Sequence, residues 1–281
     1  MIEFLDALKD PDLVFLRYAL LLGIVASIPL GAVGTLVVVR RISYLAAAIA
    51  HSVLGGIGAA MYAREVLGWL WLTPTLGALI AAVVSAAIVG IVSLSAHQRE
   101  DAVIGAIWVA GMATGLLFIH ASPGYADPMS YLFGDILLVQ AFDLKLASIV
   151  GFLIVGALFL GYRQIVATSF DPEFATIRGI QVKWVYLFLL QMAALTIVLL
   201  VSLVGIVLSI ALLTLPPAIA SLRAKSLWQM ALGAILLNII FLSGGLVLSF
   251  SWDLPTGPVV ILFAAFIYVL CVVIDRICTK S

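Results

Sequence analysis

Long runs without Asp, Glu, Lys or Arg dominate this sequence and decide what it can fold into. A helix rises about 1.5 Å per residue, so a run of roughly 17 residues or more can cross a hydrocarbon core about 30 Å thick. The runs cover residues 18–39, 42–63, 66–96, 102–126, 146–162, 184–222, 226–252 and 254–274. We therefore predict an all-α, polytopic helical membrane protein.

The run at 184–222 is too long for one crossing. As a single helix its 39 residues would reach about 58 Å, so we expect it to break, most simply near residues 202–205. The chain then has about nine spans and forms a single transmembrane domain over residues 1–281. Within its seventh span, Pro216 and Pro217 remove backbone hydrogen bonds, which predicts a break near the inward end that acts as a hinge or gate.

Composition excludes several other classes of protein. The chain is 65% hydrophobic and 10% charged, with a mean hydropathy of +1.29, which is typical of membrane proteins. Its balanced charge, without a Lys/Arg run, argues against binding nucleic acid. The acidic N-terminus is unlike a secretory signal, so we expect the first span to be retained. No Walker P-loop or HExxH motif supports an enzyme.

Basic residues predict the orientation. If the Arg40–Arg41 turn is cytoplasmic, alternation through nine spans places ten basic residues on that side, the N-terminus outside and the C-terminus inside. The opposite face is acidic and would suit the entry of cations. The ten are Arg40, Arg41, Arg99, Arg163, Arg178, Lys183, Arg223, Lys225, Arg276 and Lys280.

His51 is the only His, Asp, Glu, Lys or Arg residue between Arg41 and Arg64, and it lies near the middle of an apolar run. Intramembrane ionisable groups often mark a pathway. The residues at helical spacing, Ala47 and Gly55, are small, so other backbones can approach closely. Two interpretations remain open: a histidine that hydrogen-bonds a neighbouring helix, and a histidine on the route of a transported ion.

Residues 120–141 form an unusual outward segment. Turn signals at 123–124 and 127–128 precede a stretch, 129–139, that is too apolar for a solvated loop and too short to span. We predict a re-entrant segment that lines the route. It would bring His120, Asp127 and Asp135 near His51, although capping of turns also explains the two aspartates.

The inward segment 163–183 predicts a short cytoplasmic helix. Asp171 can cap it, Pro172 suits its first position and Gly179 can end it. Its mixed surface suits docking to a cytoplasmic partner, while an amphipathic connector lying on the lipid bilayer is the alternative. The mixed surface comprises Glu173, Phe174, Ala175, Ile177 and Arg178.

Four stretches carry a resemblance to a known family: residues 42–60, 122–137, 170–180 and 204–222. In order and spacing they resemble the membrane permease subunit of ABC importers for divalent transition metals, namely zinc, manganese or iron. The resemblance implies a permease homodimer in the cytoplasmic membrane of a prokaryote, an extracytoplasmic metal-binding protein and no tightly bound cofactor. It also implies a cytoplasmic ATP-binding subunit that binds the coupling segment. The residues of this segment are Asp171, Glu173, Phe174, Ala175 and Gly179.

One position departs from the family pattern. The family's second span usually reads Asp-x-x-x-His, and here Ala47 replaces the aspartate while His51 is present. Asp127 or Asp135 could supply the missing oxygen ligand, or the site holds metal more loosely; family members generally carry Asn at position 135. Losing the carboxylate favours zinc marginally, because an imidazole suits zinc better than manganese.

Two alternatives remain. A cobalamin or iron-chelate ABC permease has a similar architecture but little use for a midplane imidazole. A secondary cation transporter that works without an ATPase would use His51 as a proton or ion relay.

Overall fold

The computed structural model describes residues 10, 13–95, 100–123, 128–134 and 140–278, which are helical with short connections. In these ranges eight helices are long and apolar enough to span a membrane, and Ile206–Ser221 is a shorter apolar helix. The prediction of a polytopic helical membrane protein is confirmed. The helices are α1 Val14–Val39, α2 Ser43–Glu65, α3 Pro74–Ser95, α4 Glu100–Ala121, α5 Pro128–Phe133, α6 Ala141–Phe170, α7 Pro172–Ile177, α8 Val182–Val204, α9 Ile206–Ser221, α10 Leu227–Trp252 and α11 Thr256–Cys278.

The chain divides into two compact units. The first comprises Met1–Val38, Leu132–Val155 and Leu199–Ser281, and the second comprises Val39–Tyr131 and Gly156–Val198.

In the first unit, α1 packs closely against α10 because glycines on α1 leave room for the other helix. A Cβ atom on Gly31 would lie 2.6 Å from the backbone nitrogen of Ile235, and one on Gly23 would lie 3.3 Å from Cβ of Leu242. The Leu242 side chain, which meets Gly23, is buried. Apolar burial and close backbone contact therefore hold the two helices together.

The long apolar run breaks at Gly205, as its length predicts. Gly205 has a φ of +84°, a conformation that glycine adopts readily, and it separates α8 from α9. The backbone after α5 packs into this break. A Cβ atom on Gly205 would lie 2.7 Å from the carbonyl oxygen of Leu132, and one on Gly134 would lie 2.5 Å from the nitrogen of Gly205.

The chain is not broken at Pro216 and Pro217, whereas their role as a hinge or gate stays a prediction. Helix α9 continues through both prolines and ends at Ser221. Both prolines are buried, and the Pro217 ring and the Leu213 carbonyl oxygen pack against Gly34 of α1. Close packing against α1 therefore covers the part of α9 that contains Pro217.

In the second unit, α2 packs against both α3 and α4 through glycines. Gly56 of α2 meets Gly77 of α3, and Gly58 meets Gly115 of α4. A Cβ atom on Gly115 would lie 2.5 Å from the carbonyl carbon of Leu54. Because no Cβ atoms keep the backbones apart, α4 comes close enough for its side chains to reach those of α2.

Candidate functional site

His51 lies on α2 and stacks on Trp108 of α4. The ring centroids are 4.6 Å apart and the ring planes differ by 10°. The His51 side chain is partly exposed, yet its Nδ1 is buried and has no hydrogen-bond partner among the described residues. The contact with α4 is thus ring stacking and not a hydrogen bond from Nδ1. A neutral imidazole with a free nitrogen can ligate a divalent transition metal.

His51 belongs to the accessible side of α2. Tyr44, Ala47 and Gly55, at helical spacing from it, are also exposed or partly exposed. Ser52, the next residue, is buried: its hydroxyl donates to the carbonyl oxygen of Ala48 at 2.8 Å and lies 3.4 Å from that of Ile107 on α4. Ala47 therefore shares a surface with the imidazole one turn away, which is the position where a carboxylate would join it.

The predicted polar neighbours of His51 do not assemble around it in the described part of the chain. His120 is exposed in the last turn of α4. It follows Trp108 by 12 residues, which is roughly 18 Å along a helix. Asp127 and Asp135 lie outside the described residues. No group of three or more His, Cys, Asp or Glu side chains that could hold a metal ion occurs within the described ranges.

Two aromatic residues that contact α2, Trp108 and Tyr131, were not predicted from the sequence. Trp108 is the only aromatic residue in 102–117, and this isolation could have marked it as a contact residue of α4. Tyr131 of α5 contacts the sulfur of Met61 on α2, with its hydroxyl 3.5 Å away. Burial raises the pKa of the Tyr131 phenol, and Glu65 adds to that shift.

Helix α7 begins and ends where the sequence predicts. The Asp171 carboxylate accepts a hydrogen bond from the backbone N–H of Phe174 at 2.8 Å, and Pro172 occupies the first turn. At the other end Gly179 has a φ of +79°, and its N–H donates to Thr176 while that of Ile180 donates to Ala175. These bonds form a Schellman motif, so both ends of this six-residue helix are fixed locally.

One side of α7 faces away from the rest of the chain. Ala175 is fully buried, whereas Phe174 is 48% exposed and Ile177 is 84% exposed. Glu173 is exposed as well, and the Arg178 guanidinium lies 5.0 Å from the centre of the Phe174 ring. An exposed aromatic ring and an isoleucine between opposite charges form a surface suited to a protein partner.

Comparison with known proteins identifies the family. The model of the ABC 3 transport family matches residues 12–275. The chain belongs to the ABC 3 transport family. Together with the relatives described next, this confirms the resemblance of the four sequence stretches to a metal-transport ABC permease.

Relatives in the ABC 3 transport family match this chain over most of its length. The chain is 34% identical to the probable metal transport system membrane protein of Chlamydia muridarum, over 100% of this chain and 95% of that protein. It is 30% identical to the manganese import system permease protein ScaB of Streptococcus parasanguinis, over 95% of this chain and 92% of that protein.

A solved structure from the same group shares the fold. PsaBC from Streptococcus pneumoniae in complex with Fab superimposes with a TM-score of 0.84 at 30% identity, covering 96% of this chain and 95% of that chain. None of these similarities supports the marginal preference for zinc.

Proposed function

We propose that this chain is the membrane permease subunit of an ATP-driven importer that moves Mn²⁺ into a prokaryotic cell. The assignment to metal import is supported by family membership over residues 12–275 and by relatives named as metal transport and manganese import proteins. The choice of manganese over zinc or iron is supported by the relative named as a manganese import permease. The metal ion is the substrate, and the permease itself carries out no chemical step.

The observation that carries the proposed route is the His51 ring, which lies at mid-depth in α2 with an unpartnered Nδ1. The His51 imidazole alone gives the metal ion only one ligand from each permease. A transport site must release its ion, so weak coordination suits passage. We propose that a second copy of the permease supplies a second His51 across the accessible side of α2. Asp127 and Asp135 remain candidates for oxygen ligands, and His120 for a more distant position on the route.

We further propose that α7 docks on a cytoplasmic ATP-binding subunit and that an extracytoplasmic protein delivers the metal. The exposed Phe174 and Ile177 support the docking role of α7. The basic residues near α7, including Arg163 and Lys183, support placing this side of the membrane domain, with the C-terminus, in the cytoplasm. In α9, Pro216 and Pro217 remain candidates for a gate.

Phe174→Ala should weaken binding of the ATP-binding subunit by about tenfold or more, because a half-exposed aromatic anchor is typical of an interface hot spot. Pull-down of the ATP-binding subunit by the purified permease measures this. Phe159→Ala is the matched control, since Phe159 of α6 is 68% exposed but lies far from α7 in sequence. Equal retention of the subunit by wild type and Phe174→Ala would contradict the docking role.

Transport itself is tested in liposomes that contain the permease with its ATP-binding subunit and metal-binding protein. Uptake of Mn²⁺, Zn²⁺, Fe²⁺, an iron chelate and cobalamin is compared with and without ATP. We expect ATP-dependent uptake of Mn²⁺, and neither the chelate nor cobalamin should compete. Uptake of only the chelate or cobalamin, or metal uptake that needs an ion gradient and no ATP, would overturn the proposal in favour of the corresponding alternative.

A further inference from the structure

Arg40 reaches from the turn between α1 and α2 to the end of α6. Its Nη1 donates to the carbonyl oxygen of Thr168 at 2.8 Å, and Nη2 lies 3.4 Å from the Thr168 hydroxyl. In an uninterrupted helix that carbonyl would accept from the residue four positions later. That residue is Pro172, which has no N–H. Arg40 therefore supplies the donor that Pro172 cannot, and it caps the C-terminal end of α6.

The rest of the Arg40 side chain is also enclosed. The guanidinium carbon lies 5.9 Å from the centre of the Tyr186 ring, and the Tyr186 hydroxyl lies 2.8 Å from the Ser93 hydroxyl at the end of α3. The Arg40 Nε is buried without a hydrogen-bond partner among the described residues. Burial lowers the pKa of the guanidinium, and Tyr186 partly offsets that shift. Arg40 is partly buried, and its contacts with Thr168 and Tyr186 help to fix the position of the guanidinium.

The contacts of Arg40 lie beside two functional elements. Thr168 precedes Asp171, the cap of α7, by three residues, and Arg40 precedes Ser43, the first residue of α2, by the same number. We propose that Arg40 is a positioning residue that transmits displacement of α7 to the start of the helix carrying His51. This inference rests on the proposed function, in which α7 binds the ATP-binding subunit and His51 lies on the metal route.

The test compares Arg40→Met, which keeps the aliphatic stem but removes every donor, with Arg40→Lys and with Arg41→Met. Arg41 is the exposed neighbour in the same turn and is the matched control. In liposomes containing the full complex, Arg40→Met should raise the ratio of ATP hydrolysed to Mn²⁺ moved by about tenfold, the effect of losing a charged hydrogen bond in one state. Arg40→Lys should recover part of the coupling, and Arg41→Met should match wild type.

A second readout does not depend on metal transport. Amide hydrogen exchange of residues 168–179 in the assembled complex should become about tenfold faster in Arg40→Met and stay unchanged in Arg41→Met. If a folded Arg40→Met keeps the wild-type ratio of ATP hydrolysed to Mn²⁺ moved, and the wild-type exchange rates of residues 168–179, the inference is overturned. A proportional fall of hydrolysis and transport would do so too, because it indicates a merely structural role.

Should Arg40→Met fail to fold, Arg40→Lys and Tyr186→Phe must raise the ratio, and wild-type values in both would overturn the inference. If exchange changes as expected but the wild type moves no metal, the positioning role stands and the proposed function fails.

Discussion

We expect His51→Ala to lower Mn²⁺ uptake by about 100-fold or more, because removal of a metal-contacting imidazole costs at least as much as loss of its supporting groups. The reason lies in the free Nδ1 of the ring and in the absence of any other His, Cys, Asp or Glu cluster from the described residues. In a homodimer the substitution removes both imidazoles, so the route loses the nitrogen ligands that we place at its midplane. Initial rates of radioactive manganese uptake measure the effect.

The control for this prediction is Ser52→Ala, the next residue on α2, whose hydroxyl is bonded within its own helix to Ala48. It should keep most of the uptake. The His51→Ala complex should still bind its ATP-binding subunit, since α7 is unchanged. Normal uptake in His51→Ala would remove His51 from the metal route.

The second large effect concerns Gly205→Ala. The backbone of Gly205, at φ +84° and ψ +164°, is nearly restricted to glycine and costs an L residue about 1–3 kcal/mol. The new Cβ would also overlap the backbone of Leu132, Phe133 and Gly134, which cannot move aside cheaply. Overpacking adds about 1–3 kcal/mol. We expect the melting temperature of the purified permease to fall by roughly 5–15 °C, with a lower yield of monodisperse protein.

Gly156→Ala is the matched control for Gly205→Ala. It is the same chemical change inside α6, where an added Cβ atom meets nothing within 4 Å. Alanine favours a helix by about 1 kcal/mol over glycine, so this variant should melt at or slightly above the wild-type temperature. Equal melting of wild type and Gly205→Ala would show that the contact between the α8–α9 break and the end of α5 is not tight.

The parts of the fold that could be predicted depend on local chemistry. Uncharged runs predicted the spans. The length of the run 184–222 required a break, which lies at Gly205. Asp171, Pro172 and Gly179 defined α7 through bonds between residues close in sequence. The ends of the spans were predicted less accurately. Helix α3 begins only at Pro74 within the run 66–96, and α6 extends beyond the run 146–162, over charged residues, to cover 141–170.

The failures came from tertiary contacts that a sequence does not display. Helix α9 continues through Pro216 and Pro217, and Pro217 packs against Gly34 of α1. Trp108 stacks on His51 because glycines let α2 and α4 approach. Arg40 looked like a marker of membrane orientation, whereas it also caps α6. His120 stands apart from His51 because α4 continues as one helix between Trp108 and His120.

The central claim is that the His51 imidazole contacts the metal ion as it crosses the membrane. Electron spin echo envelope modulation of Mn²⁺ bound to the purified complex tests it directly, because the method detects nitrogen nuclei bonded to the ion. We predict modulation from an imidazole ¹⁴N in the wild type and its loss in His51→Ala. Stoichiometrically bound Mn²⁺ without any nitrogen modulation in the wild type would contradict the claim.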